Sequence, residues 1–519
     1  MHLLSDPWVQ VSTQKGERRW IRPAEVGNPE YRDIVAPRAD FLGALYQFLI
    51  GLLQVSFCPE DREHWSERND SPPTMAQLDE MFDEWSGAFH LSRERQRVFL
   101  QDIELPADSN HLPVLELLIE AGSDVNRYFN HPPANHGLCE RCAALALFTL
   151  QTNAPSGGRG IRTSLRGGGP LTTLLLPAEQ SATLWQRLWL NIIPAEELRL
   201  PPIVSQADVM PWLGKTRTSD AQGIGDTPPG VVHPLQAYWG MPRRILLDTE
   251  TLDLGECSIC GATDVPRYRH YYTRHGGTNY TGPWLHPLTP YSIDAKEHDK
   301  PPIPIKGRLA GRGYRDWLGL VLGNDNHQPD AARVIASFSA WKHPRKPRTR
   351  LWCFGFEMAN MKAVCWYDAQ LPVHEVAPER QPAFVRTIKQ ILDSAEEMAR
   401  SVQGQVKAAR FDRPADRKSD DAVALGFWQS SEPLFYQVLD ALSAVDCDDR
   451  EALSPACGRW LAGTYAIAFA QFEQWALSGD IDGLDLKRVT TARAELAARL
   501  KKAQRPLRDL ILQDNKEKA

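Results

Sequence analysis

Two Cys-x-x-Cys pairs are the residues of this 519-residue chain best suited to hold a metal. Cys139-Glu-Arg-Cys142 and Cys257-Ser-Ile-Cys260 each place two thiols at the spacing of a zinc knuckle. Gly261 follows the second pair, where a tight knuckle turn favours positive φ. Together the pairs offer four thiolates, the donor set of a tetrahedral structural Zn²⁺ site. The 114 residues between them exceed an ordinary zinc ribbon, and two unrelated buried pairs would leave the same pattern. Redox chemistry fits less well, because neither pair lies in a thioredoxin-like strand–helix context. Nine cysteines in a chain of this length make no disulfide framework.

A second chemistry is written in "NAPSGGRGIRTSLRGGGPLTT", Asn153–Thr173, where six glycines and three arginines occur without one acidic side chain. Glycine lets a backbone approach a ligand closely, and the guanidinium fork suits phosphate. The stretch is neither a P-loop, lacking G-x-x-x-x-G-K-[ST], nor a dinucleotide turn, because Thr163 stands where the third glycine belongs. What remains is an ordinary surface loop, or one that approaches a nucleic-acid backbone with Arg159, Arg162 and Arg166 as phosphate contacts. Two further acid-free stretches interleave cations with aromatics: Pro266–Tyr280, which contains Arg274 and His275, and Trp341–Arg350, which contains Lys342, Arg345 and Lys346. Singly, each reads as a solvated loop. In a chain of net charge −6, three of them point to one localised basic groove.

The elements that must position these residues fall into two regions. The first 373 residues mix short helical patterns with β-rich and loop-rich segments. Strands are expected at "WVQV", Pro170–Leu176, "RRILLD" and "RLWCFGF", and helices at Asp40–Val55, Thr74–Phe89, Leu115–Ala121 and Cys142–Gln151. A proline-interrupted linker, Leu371–Pro382, precedes a change of character. Beyond it, Phe384, Ile388, Ile391, Ala395, Met398, Val402 and Val406 form an apolar stripe, and three more helical stretches follow at 422–445, 451–478 and 489–510. The expected fold is α+β: a large irregular mixed domain over 1–373 and a four-helix bundle over 374–519. The apolar run Phe41–Leu53 is too short to cross a bilayer, and "MHLLSDPWVQV" has no signal-peptide pattern, so a cytoplasmic protein without a membrane partner is expected. No H-E-x-x-H, G-x-S-x-G or paired-carboxylate motif offers a catalytic centre.

In order along the chain, "LLSDPWVQV", "DVNRYFNHPP", "LCERCAALALF", the glycine loop, "CSICG", "GPWLHPLTPY" and "GFEMANMKA" resemble the large, CasA-type subunit of the type I-E CRISPR surveillance complex, Cascade. The resemblance spans nearly the whole chain. It implies a non-enzymatic subunit that checks a short motif in duplex target DNA, helps open that duplex, and supports recruitment of a separate helicase–nuclease. It places Ser156, Gly157, Gly158, Arg159 and Gly160 against the minor groove, a surface that distinguishes base pairs poorly and so implies tolerant recognition. The family's lysine finger falls at His275, which is shorter, leaving Arg274 to supply a cation. The wedge that parts the first base pair falls within Asn360-Met361-Lys362, with Met361 in place of a glutamine; an apolar side chain can still unstack a base step. Tyr128, Phe129 and Asn130 match a segment that meets the guide RNA and a neighbouring subunit. The rival readings are a zinc-dependent nucleic-acid-processing enzyme and a scaffold that binds only protein.

Overall fold

The computed structural model describes the chain apart from residues 93–96, 120–135, 156, 159, 221–224, 294–299, 308–312, 323–330, 344–345, 360–361, 375, 378, 414–420, 479–484 and 513–519. It is a mixed α/β protein in two compact units. One comprises Met1–Gly311 with Gly319–Gln370, and the other Arg312–Leu318 with Leu371–Ala519.

The first unit is organised around the helix Ala39–Ser56, which is buried on nearly every side. That burial explains why an apolar run of membrane-like composition serves here as a core element. Its Phe48 meets Trp8, Phe89, Phe99, Phe148 and Trp239 edge-on, with ring centroids 5.2–5.8 Å apart. Edge-to-face contact is the geometry that ring quadrupoles favour, so the scattered aromatics of the sequence converge in one cluster. Gly43 lets the helix close onto a strand, since a Cβ there would lie 2.6 Å from the Phe354 ring. That strand, Thr349–Ala359, is central in a three-stranded sheet between Lys362–Pro372 and the fully buried Thr172–Pro177. The latter pairs antiparallel, with Thr349 opposite Pro177 and Phe354 opposite Thr172.

Two smaller sheets share one ribbon. Val265–Tyr268 lies between Leu138–Cys139 and Asp253–Gly255, and the continuation His270–Arg274 lies between Asn110–Pro113 and Arg244–Leu247. The helix Glu140–Asn153 packs on Ala39–Ser56. The helix expected at Leu115–Ala121 is, among its described residues, only a 3₁₀ turn over Val114–Leu117.

In the second unit the long helices Gln381–Arg410, Ala422–Ser443, Arg450–Ala476 and Leu486–Ala503 form the bundle. Every member of the predicted stripe from Phe384 to Val406 is buried. Asp449 and Asp485 cap the third and fourth helices by accepting backbone N–H groups at 3.0 Å. The final predicted helix is split at Gln504, and Arg505–Leu512 continues as a separate element. Pro506 causes the break because it has no N–H to return to the Lys502 carbonyl. Buried Gln504 instead donates to the Leu461 carbonyl at 2.7 Å. The bundle also takes in Arg312–Leu318, a segment the sequence reading left in the first domain. Its Tyr314 is buried, shares a 2.7 Å hydrogen bond with the Ser431 hydroxyl, and stacks on Phe435 at 4.4 Å.

Candidate nucleic-acid interface

The four cysteines meet. Their sulfurs all lie within 4.8 Å of one another, although one pair spans the Leu138–Cys139 strand and the following helix and the other lies in the connection between Asp253–Gly255 and Val265–Tyr268. Arg267 stands opposite Cys139 in the ladder, Cys139 N–H points to Cys257 Sγ at 3.4 Å, and Ser258 N–H donates to the Gly137 carbonyl at 2.9 Å. Gly261 adopts φ +70° and returns its N–H to the Cys257 carbonyl at 3.0 Å, closing the knuckle. The Cys139–Cys260 sulfur separation is 3.7 Å. That is too long for a disulfide and equals the edge, about 3.8 Å, of a tetrahedron with Zn–S bonds of about 2.3 Å. Thiols of Cys139 and Cys142 stabilise the anions at the other pair, and Cys260 is drawn down to about 7. The donor set therefore fits one Zn²⁺ with no position left over for water, the arrangement of a structural site.

Two arms lead away from this cluster. The helix Glu140–Asn153, about 21 Å long at 1.5 Å per residue, ends where the glycine loop begins. The ribbon Val265–Arg274 ends at His275. The glycine loop closes on itself, Gly169 N–H donating to the Asn153 carbonyl at 2.8 Å. It is also fastened to the second arm: Gly276 N–H donates to the Gly160 carbonyl at 2.9 Å. Gly160 has φ +81°, and a Cβ on it would stand 3.1 Å from the His275 Cβ. Gly158 has φ +97° but faces open space. Each glycine relieves a backbone conformation costly for L-residues; the Gly158 carbonyl accepts the Ile161 N–H within the loop at 3.2 Å, whereas Gly160 is held from the second arm.

These segments border a cavity of about 380 Å³ whose walls include Gly157, Gly160, Arg162, Arg274, His275 and Lys362. An open recess beside it shares Gly160, Arg162, Arg274 and His275, and adds Asp108 and Asp220. Arg162 is tethered, its Nε donating to Ser219 Oγ at 2.8 Å. Arg274 pairs with Asp108 across an exposed contact. Buried Arg244 is held by Asp102 at 2.6 Å and approaches Asp220 at 3.7 Å. Sequence reading missed both rim aspartates and also Arg243, which lines the cavity and donates to the Pro155 carbonyl at the base of the loop. Burial pulls the Arg243 guanidinium down to about 10. Its separation from Pro155 along the chain left no signal to find it by.

Arg166 requires correction. Expected as a phosphate contact, it is 2% exposed and donates to Gln47 at 2.7 Å, Thr289 at 3.0 Å and Thr172 at 3.1 Å. Burial brings it down to about 10, so it stays charged at neutral pH, wholly occupied with the core and with Gln47 of the apolar helix. The described residues of the third basic stretch also do not line the cavity. Lys342 donates to the Ser339 carbonyl at 3.1 Å, and Lys346 lies 4.4 Å above the Phe338 ring. Neither lines the cavity. Ser156, Arg159, Arg345, Asn360, Met361, Tyr128, Phe129 and Asn130 lie outside the described residues. Lys362, exposed at the start of its strand, lies on the cavity wall.

A family model for CRISPR-associated protein Cse1 matches residues 2–469. The chain belongs to the Cse1 family. Its fold is that of CasA (Cse1) from Thermus thermophilus, with TM-score 0.71 at 16% identity over 98% of this chain and 99% of the other. Cse1 from Thermobifida fusca gives 0.68 at 17% identity over 98% of each. A chain of a structure described as a CRISPR RNA-guided surveillance complex gives 0.67 at 16% identity over 98% and 99%. At these identities the solved structures establish a shared fold. Membership of the family rests on the sequence match.

Proposed function

We propose that this protein is the large subunit of an RNA-guided surveillance complex and reads a short motif in duplex target DNA through the edge where the glycine loop meets His275. The observation that carries this reading is the Gly160–Gly276 hydrogen bond, which joins two sequence-remote, acid-free segments at one cavity wall beside Lys362. A loop of glycines with positive φ offers bare backbone to a groove, and an imidazole at its side can contact base edges without demanding one sequence. Asn360 and Met361, which directly precede Lys362 in the chain, then serve as the wedge against the first base pair, with Lys362 near the adjoining phosphate. Tyr128–Asn130 meets the guide RNA and the neighbouring subunit, and the assembled complex recruits a helicase–nuclease. The Cys₄ set favours a non-enzymatic role for its metal, because all four positions are thiolates. No observation favours a nuclease or a protein-only scaffold.

The test is competition binding by the assembled complex, with motif-bearing and scrambled duplexes compared across a salt series. His275→Ala is expected to erase discrimination between the two while leaving the salt dependence nearly unchanged. An equal loss on both duplexes, with the salt slope reduced by about one contact, would show a plain phosphate ligand and defeat the motif-reading role.

A further inference from the structure

The sheet that walls the cavity carries a second set of metal-binding donors on its other face. Side chains alternate along a strand, so Leu112, Ile245, Tyr271 and Thr273 face the cavity while His111, His270 and Tyr272 face away. Asp248 follows Arg244–Leu247 and joins this outer set, its N–H donating to the His270 carbonyl at 3.1 Å. One ring nitrogen from each histidine and one Asp248 oxygen lie within 4.8 Å of one another.

We propose that His111, His270 and Asp248 bind one borderline divalent cation of the Zn²⁺ class, each giving one ligand atom and water completing the shell. Two imidazoles with one carboxylate select this class over Mg²⁺ or Ca²⁺, which prefer all-oxygen shells. His111 Nε2 and Asp248 Oδ2 are 2.9 Å apart. Ligands bound at about 2.0–2.1 Å in a tetrahedron sit about 3.3 Å apart, so replacing the shared proton by a cation needs movement of only a few tenths of an ångström.

The surroundings already do what an outer shell does for a metal. Asp248 Oδ1 accepts Glu250 N–H at 2.9 Å, and Oδ2 accepts the Thr251 hydroxyl at 2.8 Å, so the buried carboxylate is fixed in orientation. The His111 ring is stacked on Tyr272 at 4.6 Å and 23°, and is tilted against His270 at 4.6 Å. A His–Asp hydrogen bond alone would explain His111 but not His270. The Nδ1 of His270 is buried without a hydrogen-bond partner, the condition that an ion or water at the cluster would relieve. One side stays open, because the His111 side chain is 39% exposed while that of Asp248 is 2% exposed. A cation here would pin Asn110–Pro113 to the other two strands, and so hold in place the edge that carries Asp108 and Asn110 into the recess.

The experiment uses the full chain, equilibrated with micromolar free Zn²⁺, desalted and assayed for metal per molecule. A parallel Co²⁺ loading reports the cysteine cluster separately through its thiolate charge-transfer absorption. The wild type is expected to hold two equivalents. His270→Ala and Asp248→Asn should each hold one, with the cobalt–thiolate band intact. Asp248→Asn keeps the side-chain shape, so it serves where the alanine variant misfolds. A wild type that shows the cobalt–thiolate band yet binds only one equivalent in excess Zn²⁺, or an Asp248→Asn protein that binds as much metal as the wild type, overturns the proposal. If the wild type shows no cobalt–thiolate band, one bound equivalent that Asp248→Asn loses supports the proposal, and a wild type that binds no metal overturns it.

Discussion

Gly160→Ala should uncouple the two arms of the candidate interface. The alanine must hold φ +81°, and its Cβ would press on the His275 Cβ at 3.1 Å, closer than nearly all real contacts of that kind. Left-handed backbone costs an L-residue about 1–3 kcal/mol where the surroundings enforce it. Relief requires the loop to lift from the His275–Gly276 turn, which breaks the 2.9 Å bond from Gly276 N–H to the Gly160 carbonyl. Gly158→Ala is the matched control, with φ +97° and nothing within reach of its Cβ, so its strain can relax without moving His275. Hydrogen exchange at the Gly276 amide reads the difference. At 1.4 kcal/mol per decade, protection in Gly160→Ala should fall by roughly 5- to 150-fold, and in Gly158→Ala much less. Motif discrimination by the assembled complex should fall with it. Equal protection of Gly276 in both variants would refute the idea that the glycine loop is held by the His275 turn.

Three other outcomes follow from named contacts. Cys257→Ser should abolish retention of one Zn²⁺ per chain and raise exchange at both Cys139 and Gly261, because one metal on the four thiolates would tie both segments; metal analysis with local exchange decides it. Arg166→Met leaves Gln47, Thr172 and Thr289 without their donor and should cost about 2–4 kcal/mol, seen as a lower melting temperature, with the salt dependence of DNA binding unchanged. Asp108→Asn frees Arg274 from an exposed pair of the kind worth about 1 kcal/mol or less, so the complex should bind all duplexes up to roughly 5-fold more tightly at low salt; no gain would show that Arg274 does not reach phosphate.

The bundle was legible because its signal is local. A stripe at three- and four-residue spacing reports burial wherever the partner helices lie, and Phe384 to Val406 are all inside. The cysteine cluster was legible because Cys-x-x-Cys carries its own geometry. Arg166 was not, since glycine-rich composition describes a loop's freedom and not which of its side chains turns inward to meet Gln47, a residue 119 positions away. Lys342 and Lys346 share their composition with the two basic segments that border the cavity, yet they meet Ser339 and the Phe338 ring. His111 and Asp248 are separated by 137 positions and share no motif, so only the sheet register brings them together. For Arg166 and for the His111–Asp248 pair the deciding partner was remote in the chain; for Lys342 and Lys346 it was a near neighbour that composition does not single out.

The small excursion Arg312–Leu318 has a consequence for the order in which the protein can be made. Tyr314 leaves the ribosome well over a hundred residues before Phe435 and Trp460, the rings it packs against. At about 5–20 residues per second, that aromatic waits on the order of ten seconds with no pocket to enter. During the same interval Thr349–Ala359 is synthesised and can pair with Thr172–Pro177, so a nascent chain can settle its first unit with this plug still hanging free. Completion of the bundle is then a capture event, in which late helices close around a tyrosine delivered early. The helices that carry Phe435 and Trp460 thus decide when the middle of the chain is finished.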